Sequence, residues 1–222
     1  METQTASENL QVIRTLMERS AIYRRALAPI MTWAGICGIA AAGAGNLLRI
    51  ESGAGFIGYW MSVALLGIAG AFLLVRRQAL KSAEPFWSPP TRRVVHALSP
   101  ALTTGLLIGI LLLLAWSEKS IDDPPTGMTN DAGELFWLPA IWAVLYGLAL
   151  HAAGFFTLRG LSRFGWVFVI SGVVILFVVT FLHRQDHATA SWQASHWLMG
   201  SLFGFLQLAY GGYLFVTEKF DL

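Results

Sequence analysis

The chain has 222 residues, of which 55% are hydrophobic and 13% are charged, and its mean hydropathy is +0.59. This composition lies outside the range of soluble globular domains. The formal net charge of +2 is too small to indicate a nucleic-acid partner. The single cysteine, Cys37, excludes an internal disulfide and a thiolate metal cluster.

Residues 1–27 form a polar and basic segment in front of the first apolar stretch. Thr5 and Glu8 fit a capping box, and Ile13 and Met17 recur at helical spacing. We therefore predict an amphipathic helix over residues 5–27 that lies on the cytoplasmic membrane surface. This helix serves either as an anchor that fixes the topology or as a docking helix for a cytoplasmic partner.

Six apolar stretches without interior charges follow one another along the rest of the chain. Each has about the 20 residues that an α-helix needs to cross a hydrocarbon core of roughly 30 Å. We therefore predict an all-α polytopic membrane protein in which residues 28–222 form a single domain of six transmembrane helices. The predicted spans are Ala28–Leu48, Phe56–Val75, Ala97–Trp116, Phe136–Leu158, Phe164–Leu182 and Trp197–Val216.

Two of the connections between the spans are rich in proline. Three prolines between Glu84 and Pro90 predict an extended path rather than a regular helix. The segment Ser117–Leu135 contains two adjacent aspartates followed by two prolines, and this run predicts a solvated turn region.

The distribution of Lys and Arg predicts how the protein is oriented. Of the 15 basic residues, 12 lie on the side of the N terminus, and only Arg49, Lys119 and Arg184 lie on the other side. Cytoplasmic segments of membrane proteins carry the excess of Lys and Arg. Both termini are therefore predicted to lie in the cytoplasm.

Small residues recur at a spacing of four in several spans. Examples are Ala34, Gly38 and Ala42 in span one and Gly200 and Gly204 in span six. This spacing lets helix backbones approach each other closely in lipid. It predicts packing within one bundle, with a homodimer interface as the alternative.

One candidate site is a polar cluster in the inner half of the membrane. Tyr146 and His151 lie in span four, Gln207 and Tyr210 lie in span six, and both spans run inward. Their distances from the aromatic residues that begin these spans place them at matching depths. The four side chains either form structural hydrogen bonds between helices or line a small pocket for a solute.

A second candidate site is rich in histidine and lies at the outer ends of spans five and six. His183 and His187 share a helix face if span five extends outward, and Asp186 and His196 lie nearby in the sequence. Imidazole and carboxylate groups at such spacing can bind zinc or copper. A haem with two histidine ligands is not expected, because only one histidine lies well inside a span. No cofactor is predicted.

Short motifs in the loops and in the spans carry a family resemblance. They are Met17–Ser20, Arg76–Gln78, Glu84–Pro89, Leu145–Ala149, Ala153–Phe156, Met199–Gly200, Phe203–Gly204 and Tyr210–Gly211. On these motifs the chain resembles an uncharacterised family of small bacterial multispan membrane proteins. The resemblance implies the six-helix fold and a location in the bacterial inner membrane, and it implies no activity. Such relatives more often carry His at the position of Gln207, so no ligand role is transferred to this residue.

A non-enzymatic role is predicted, because the sequence contains no catalytic motif, no charge inside the spans and no soluble domain. The leading hypothesis is a structural or regulatory subunit that contacts other membrane or cytoplasmic proteins as well as the lipid bilayer. The rival hypothesis is a small-molecule carrier or permease that uses the polar cluster in the inner half of the membrane. A membrane enzyme or cofactor protein is the third hypothesis.

Overall fold

The computed structural model describes residues 27–81, 87, 89–122, 131–157, 159–183 and 191–220. The described residues are predominantly helical and contain no strand. The predicted all-α fold is thereby confirmed. The predicted amphipathic helix lies outside the described residues, apart from its last residue, Leu27.

Six segments of the described residues are long and apolar enough to cross a membrane, which confirms the six predicted spans. The fourth span combines α4 with α5, and the sixth combines α7, a π-helical turn and α8. We call the end of the bundle at which α1 ends and α2 begins the Arg49 end. The helices are α1 Leu27–Leu47, α2 Gly53–Lys81, α3 Pro89–Asp122, α4 Asp131–Leu135, α5 Leu138–Gly154, α6 Arg159–His183, α7 Trp192–Gly200, the π-helical turn Ser201–Phe205 and α8 Leu206–Phe220.

Helices α2 and α3 extend beyond the apolar stretches that predicted them. They contain 29 and 34 residues. At 1.5 Å per residue α3 is about 51 Å long, which exceeds a hydrocarbon core of about 30 Å. Because α3 begins at Pro89, the predicted extended path is wrong for Pro89 and Pro90. Proline is compatible with the first turn of a helix, where its missing N–H has no intrahelical partner.

Pro100 lies inside α3, where it cannot donate a backbone hydrogen bond to the carbonyl oxygen of His96. The hydroxyl of Ser99 donates to that carbonyl oxygen at 3.2 Å instead. The hydroxyls of Thr103 and Thr104 donate to the carbonyl oxygens of Ser99 and Pro100 at 2.6 and 2.8 Å. The Ser99 side chain therefore satisfies the carbonyl group that the proline leaves without a backbone donor, and the helix continues through this turn.

The first and last spans pack with their backbones in close approach. A β-carbon built on Gly38 would lie 2.7 Å from the Cα atom of Gly204, and one built on Gly200 would lie 2.5 Å from the Cβ atom of Ala42. No side chain larger than hydrogen fits at such separations without a shift of the helices. The spacing of small residues therefore serves packing within the bundle, as predicted.

Helices α5 and α6 pack as closely as the first and last spans do, through small residues that are spaced seven apart and not four apart. A β-carbon on Gly147 or Gly165 would lie 2.6 Å from the carbonyl oxygen of the other residue, and one on Gly172 would lie 2.6 Å from that of Ala140. Ala140, Gly147 and Gly154 are spaced seven residues apart, as are Gly165 and Gly172. Seven residues are close to two helical turns, so this spacing places small residues on one face of each helix.

The segment in front of α5 belongs to the core of the bundle. Helix α4 contacts α2, and the buried side chains of Leu135 and Leu138 pack with Ile57. The predicted solvated turn region is therefore wrong for residues 131–135, and also for residues 117–122, which continue α3.

Candidate functional site

The structure brings together two members of the predicted polar cluster, Tyr146 on α5 and Gln207 on α8. The amide Nε2 of Gln207 donates a hydrogen bond of 3.2 Å to the hydroxyl of Tyr146. Gln207 is only 4% exposed, and the Tyr146 ring meets Phe168 and Phe203 edge-on at centroid distances of 5.0 and 5.6 Å. The pair thus forms an interhelical hydrogen bond surrounded by aromatic rings.

Tyr210, the third member, lies one helical turn after Gln207 on α8. Its ring stacks on Phe164 of α6 at a centroid distance of 4.1 Å. Its hydroxyl lies close to Gly160, where an added β-carbon would be 3.1 Å away. Within the described residues, the Tyr210 hydroxyl and the Oε1 atom of Gln207 are buried without a hydrogen-bond partner. Buried polar atoms normally have a partner, so each of these two atoms has the capacity for one further hydrogen bond.

His151, the fourth member, is held by Ser162 of α6. Its Nδ1 atom lies 2.7 Å from the Ser162 Oγ atom and 3.3 Å from the Ser162 carbonyl oxygen. Phe155 and Trp166 meet the imidazole edge-on. The bond joins the last turn of α5 to the first turn of α6, where Gly154 lets the two backbones approach. The structure therefore divides the predicted cluster into separate interhelical contacts.

His196, one of the predicted metal ligands, is 1% exposed, and both of its ring nitrogens form hydrogen bonds. The indole Nε1–H of Trp60 donates to Nδ1 at 3.2 Å, so Nδ1 carries no proton. The proton is therefore on Nε2, which donates to the carbonyl oxygen of Ile50 at 3.1 Å. In this arrangement the neutral imidazole has both nitrogens engaged, and binding a metal ion would require breaking one of these bonds.

The remaining predicted metal ligands cannot be placed beside His196. Asp186 and His187 lie outside the described residues, and of His183 only the backbone at the end of α6 is described. Their convergence on a metal ion stays a prediction. Within the part of the chain that the structure describes, no group of three or more His, Cys, Asp or Glu side chains could hold a metal ion.

Aromatic rings from α2 surround His196. Phe56 and Tyr59 meet its ring edge-on at centroid distances of 5.1 and 5.8 Å, and Trp60 lies tilted against it at 6.1 Å. The hydroxyl of Tyr59 donates a hydrogen bond of 2.6 Å to the carbonyl oxygen of Ala41 on α1. Together these contacts tie α2 and α7 to α1 and to the connection that follows it.

Helix α1 ends in a Schellman motif in which Arg49 adopts the left-handed conformation, with φ of 51°. The N–H of Ile50 donates to the carbonyl oxygen of Gly45 at 3.1 Å, and the N–H of Arg49 donates to that of Asn46 at 3.2 Å. Glycine is the usual residue at this position, and another residue there costs roughly 1–2 kcal/mol. Such strain occurs often at functional positions.

A cleft of about 310 Å³ opens beside Arg49. It lies between the end of α1 and the first turns of α7, which Ser191 caps by accepting a hydrogen bond of 3.1 Å from the Ala194 N–H. Its lining combines one guanidinium and one carboxylate with amide, imidazole and apolar groups. The side chains that supply these groups are Asn46, Arg49, Ile50, Glu51, Trp192, Gln193 and His196.

The pair of Tyr146 and Gln207 lies inside the bundle, whereas the partly buried pair of His151 and Ser162 and the charged groups of the described residues lie toward its ends. Arg49 and Glu51 lie at one end, and Arg159 and Arg163 lie at the other. Function is inferred from this geometry and from the charge pattern of the chain. No protein-family model, no curated protein and no solved structure matches this chain.

Proposed function

We propose that the protein is a non-enzymatic subunit of a bacterial inner-membrane assembly, with a structural or regulatory role exerted through contacts with other proteins. The observation that carries this proposal is the pairing of polar side chains between neighbouring helices of the bundle. Tyr146 pairs with Gln207, and His151 pairs with Ser162, and aromatic rings pack around both pairs. Polar groups used in this way hold helices together, as a scaffold requires.

The proposed orientation has both termini in the cytoplasm. Seven basic residues at the end of the bundle opposite Arg49 support it, because cytoplasmic loops are rich in Lys and Arg. In this proposal the Arg49 end faces outward. The seven residues are Arg76, Arg77, Lys81, Arg92, Arg93, Arg159 and Arg163.

The surface proposed for a partner protein includes the connection between α2 and α3. Trp87 in this connection is 54% exposed, and the exposed side chains of Arg92 and Arg93 follow it in the chain. Tryptophan and arginine are enriched at the energetic centres of protein interfaces. They also occur at the surface of a bilayer, so the test must separate a protein partner from lipid.

Affinity purification of the tagged full chain from native membranes tests this proposal. Trp87→Asp is compared with Phe156→Asp, since Phe156 is a 49% exposed aromatic residue in the connection between α5 and α6 at the same end. We expect Trp87→Asp to lose a co-purifying protein that the wild type and Phe156→Asp retain, with unchanged melting temperatures. If the wild-type chain purifies alone in every detergent tried, the subunit proposal is wrong.

A small-molecule carrier is the second candidate function, and the buried atoms without partners favour it. Oε1 of Gln207 and the hydroxyl of Tyr210 offer hydrogen bonds to a neutral polar solute. A carrier predicts that Tyr210→Phe reduces solute uptake by cells, whereas Tyr213→Phe, a change at an exposed residue of the same helix, does not. The subunit proposal predicts unchanged uptake for both variants.

A further inference from the structure

The cleft at the Arg49 end combines groups of opposite charge. Arg49 and Glu51 are two residues apart in the connection between α1 and α2, and both line the cleft, as does the amide of Gln193 from α7. A guanidinium binds a phosphate through two parallel hydrogen bonds. A carboxylate accepts hydrogen bonds from a primary ammonium group. The lining therefore suits a small zwitterion that carries a phosphate and an ammonium group.

The position of the cleft favours a lipid as the source of this zwitterion. The cleft lies where two membrane spans end, since one span ends at Leu47 and another begins at Trp192. Leu47 and Leu48 are 85% and 67% exposed, so apolar side chains next to the cleft face the surroundings of the bundle. Acyl chains packed against these leucines would place a headgroup at the level of the cleft.

The connection that carries Arg49 and Glu51 is held in one conformation. The buried imidazole of His196 donates to the carbonyl oxygen of Ile50, which lies between the two charged residues. The Schellman motif fixes the backbone on the α1 side, and the hydroxyl of Ser52 accepts a hydrogen bond of 3.2 Å from the Gly55 N–H at the start of α2. Both charged groups are thus presented by an ordered backbone, which lowers the entropic cost of binding.

We infer that this cleft binds the headgroup of a zwitterionic phospholipid with a primary amine, that is, a phosphoethanolamine group. The guanidinium of Arg49 binds the phosphate, and the carboxylate of Glu51 binds the ammonium group. Trp192 lies at the interface and packs against the glycerol region, as aromatic residues at bilayer surfaces do. This site is independent of the proposed subunit function.

Native mass spectrometry of the delipidated full chain in mild detergent tests the inference. Phospholipids with identical acyl chains and ethanolamine, choline or glycerol headgroups are added separately. Arg49→Gln is compared with Arg77→Gln, which removes a charge from an exposed arginine at the opposite end. Glu51→Gln is compared with Glu118→Gln, a change at an exposed carboxylate near the end of α3.

We expect the ethanolamine lipid to bind best, and Arg49→Gln to reduce its binding about tenfold, the effect of losing one charge-assisted contact. Glu51→Gln should lower the binding of the ethanolamine lipid to the level of the choline lipid. The variant lacks the carboxylate that accepts hydrogen bonds from the ammonium group, and the quaternary ammonium group of choline has no N–H to donate. Arg49→Gly should also lose binding while its melting temperature rises, since glycine relieves the left-handed backbone. Loss of binding through unfolding is thereby excluded.

Three results would overturn the inference. The first is equal binding of the three lipids by the wild type, and the second is equal effects of Arg49→Gln and Arg77→Gln on lipid binding. The third concerns the source of the headgroup. If soluble glycerophosphoethanolamine displaces the lipid at a comparable concentration, the cleft is a site for a soluble zwitterion, and the assignment to lipid is wrong.

Discussion

Trp60 and His196 are 136 residues apart in the sequence, and the indole of Trp60 donates a hydrogen bond to Nδ1 of His196. This bond leaves the imidazole proton on Nε2, which donates to the carbonyl oxygen of Ile50. One neutral side chain therefore connects two spans with the loop that carries Arg49. Loss of the imidazole would leave two buried polar groups unpaired, which costs more than the bonds themselves contribute.

We expect His196→Leu to lower the free energy of unfolding by about 2–4 kcal/mol, because the Trp60 N–H and the Ile50 carbonyl each lose a partner. Trp60→Phe removes one of the two bonds and should cost about half as much. Thermal unfolding in mild detergent measures both effects. Trp197→Phe, at an exposed ring on the same helix, should leave the melting temperature unchanged. Wild-type stability of His196→Leu would show that this residue does not hold the helices together.

The contact between the first and last spans predicts a difference between two glycines of α1. Gly38→Ala should destabilise the protein by about 1–3 kcal/mol, the usual cost of overpacking a well-packed core. Its β-carbon would lie 2.6 Å from the carbonyl oxygen of Phe203. Gly43→Ala is the matched control, since its β-carbon meets nothing within 4 Å and alanine favours the helix. Comparable melting temperatures for the two variants would contradict the close packing of these spans.

Much of the fold could be predicted because the bilayer sets the length of each span. An apolar run of about 20 residues has few alternatives to a transmembrane helix. Close helix packing at Gly38 and at Gly204 could also be predicted, since small residues spaced four apart are typical of helix pairs in lipid. The spacing does not indicate which two helices form the pair. The ends of α3 could not be predicted, because the hydropathy pattern marks only the apolar part of a helix. Polar residues such as Arg92 and Glu118 continue α3 beyond that part.

The cleft beside Arg49 could not be predicted from the sequence, because its lining residues come from distant segments. Arg49 and Gln193 line one cleft, but neither belongs to a motif that indicates the other. The left-handed backbone conformation of Arg49 could not be predicted from the sequence either, since glycine is the usual residue in this conformation. The sequence predicts a metal-ligand role for His196 from the chemistry of its imidazole. Its actual partners depend on how α2 packs against α7, which no local pattern of residues encodes.

The pair formed by Tyr146 and Gln207 predicts a measurable coupling. In a double-mutant cycle, Tyr146→Phe and Gln207→Leu should show a coupling energy of about 0.6–1.7 kcal/mol, the range found for hydrogen bonds between helices in membranes. Thermal unfolding of the two single variants and the double variant supplies the cycle. Phe168 and Phe203 keep the site packed in each variant. Additive effects of the two substitutions would show that the hydrogen bond does not contribute to stability.

The bond between His151 and Ser162 predicts a second loss of stability. His151→Ala removes the partner of the Ser162 hydroxyl at 2.7 Å and opens a gap between Phe155 and Trp166. We expect a lower melting temperature for this variant and for Gln207→Ala, with unchanged solute uptake by cells, because both side chains serve packing in the proposed subunit. Reduced uptake at wild-type stability would favour the carrier instead.

The proposed orientation predicts which end of the bundle an impermeant thiol reagent reaches. Cys37 is the only cysteine of the chain, so Cys37→Ala provides a background without thiols. In this background Lys119→Cys, near the end of α3, should react in intact cells. Lys81→Cys at the end of α2 should react only after lysis, because the positive-inside rule assigns this end to the cytoplasm. Labelling of Lys81→Cys in intact cells, with Lys119→Cys protected, would reverse the orientation and would place the cleft beside Arg49 on the cytoplasmic side.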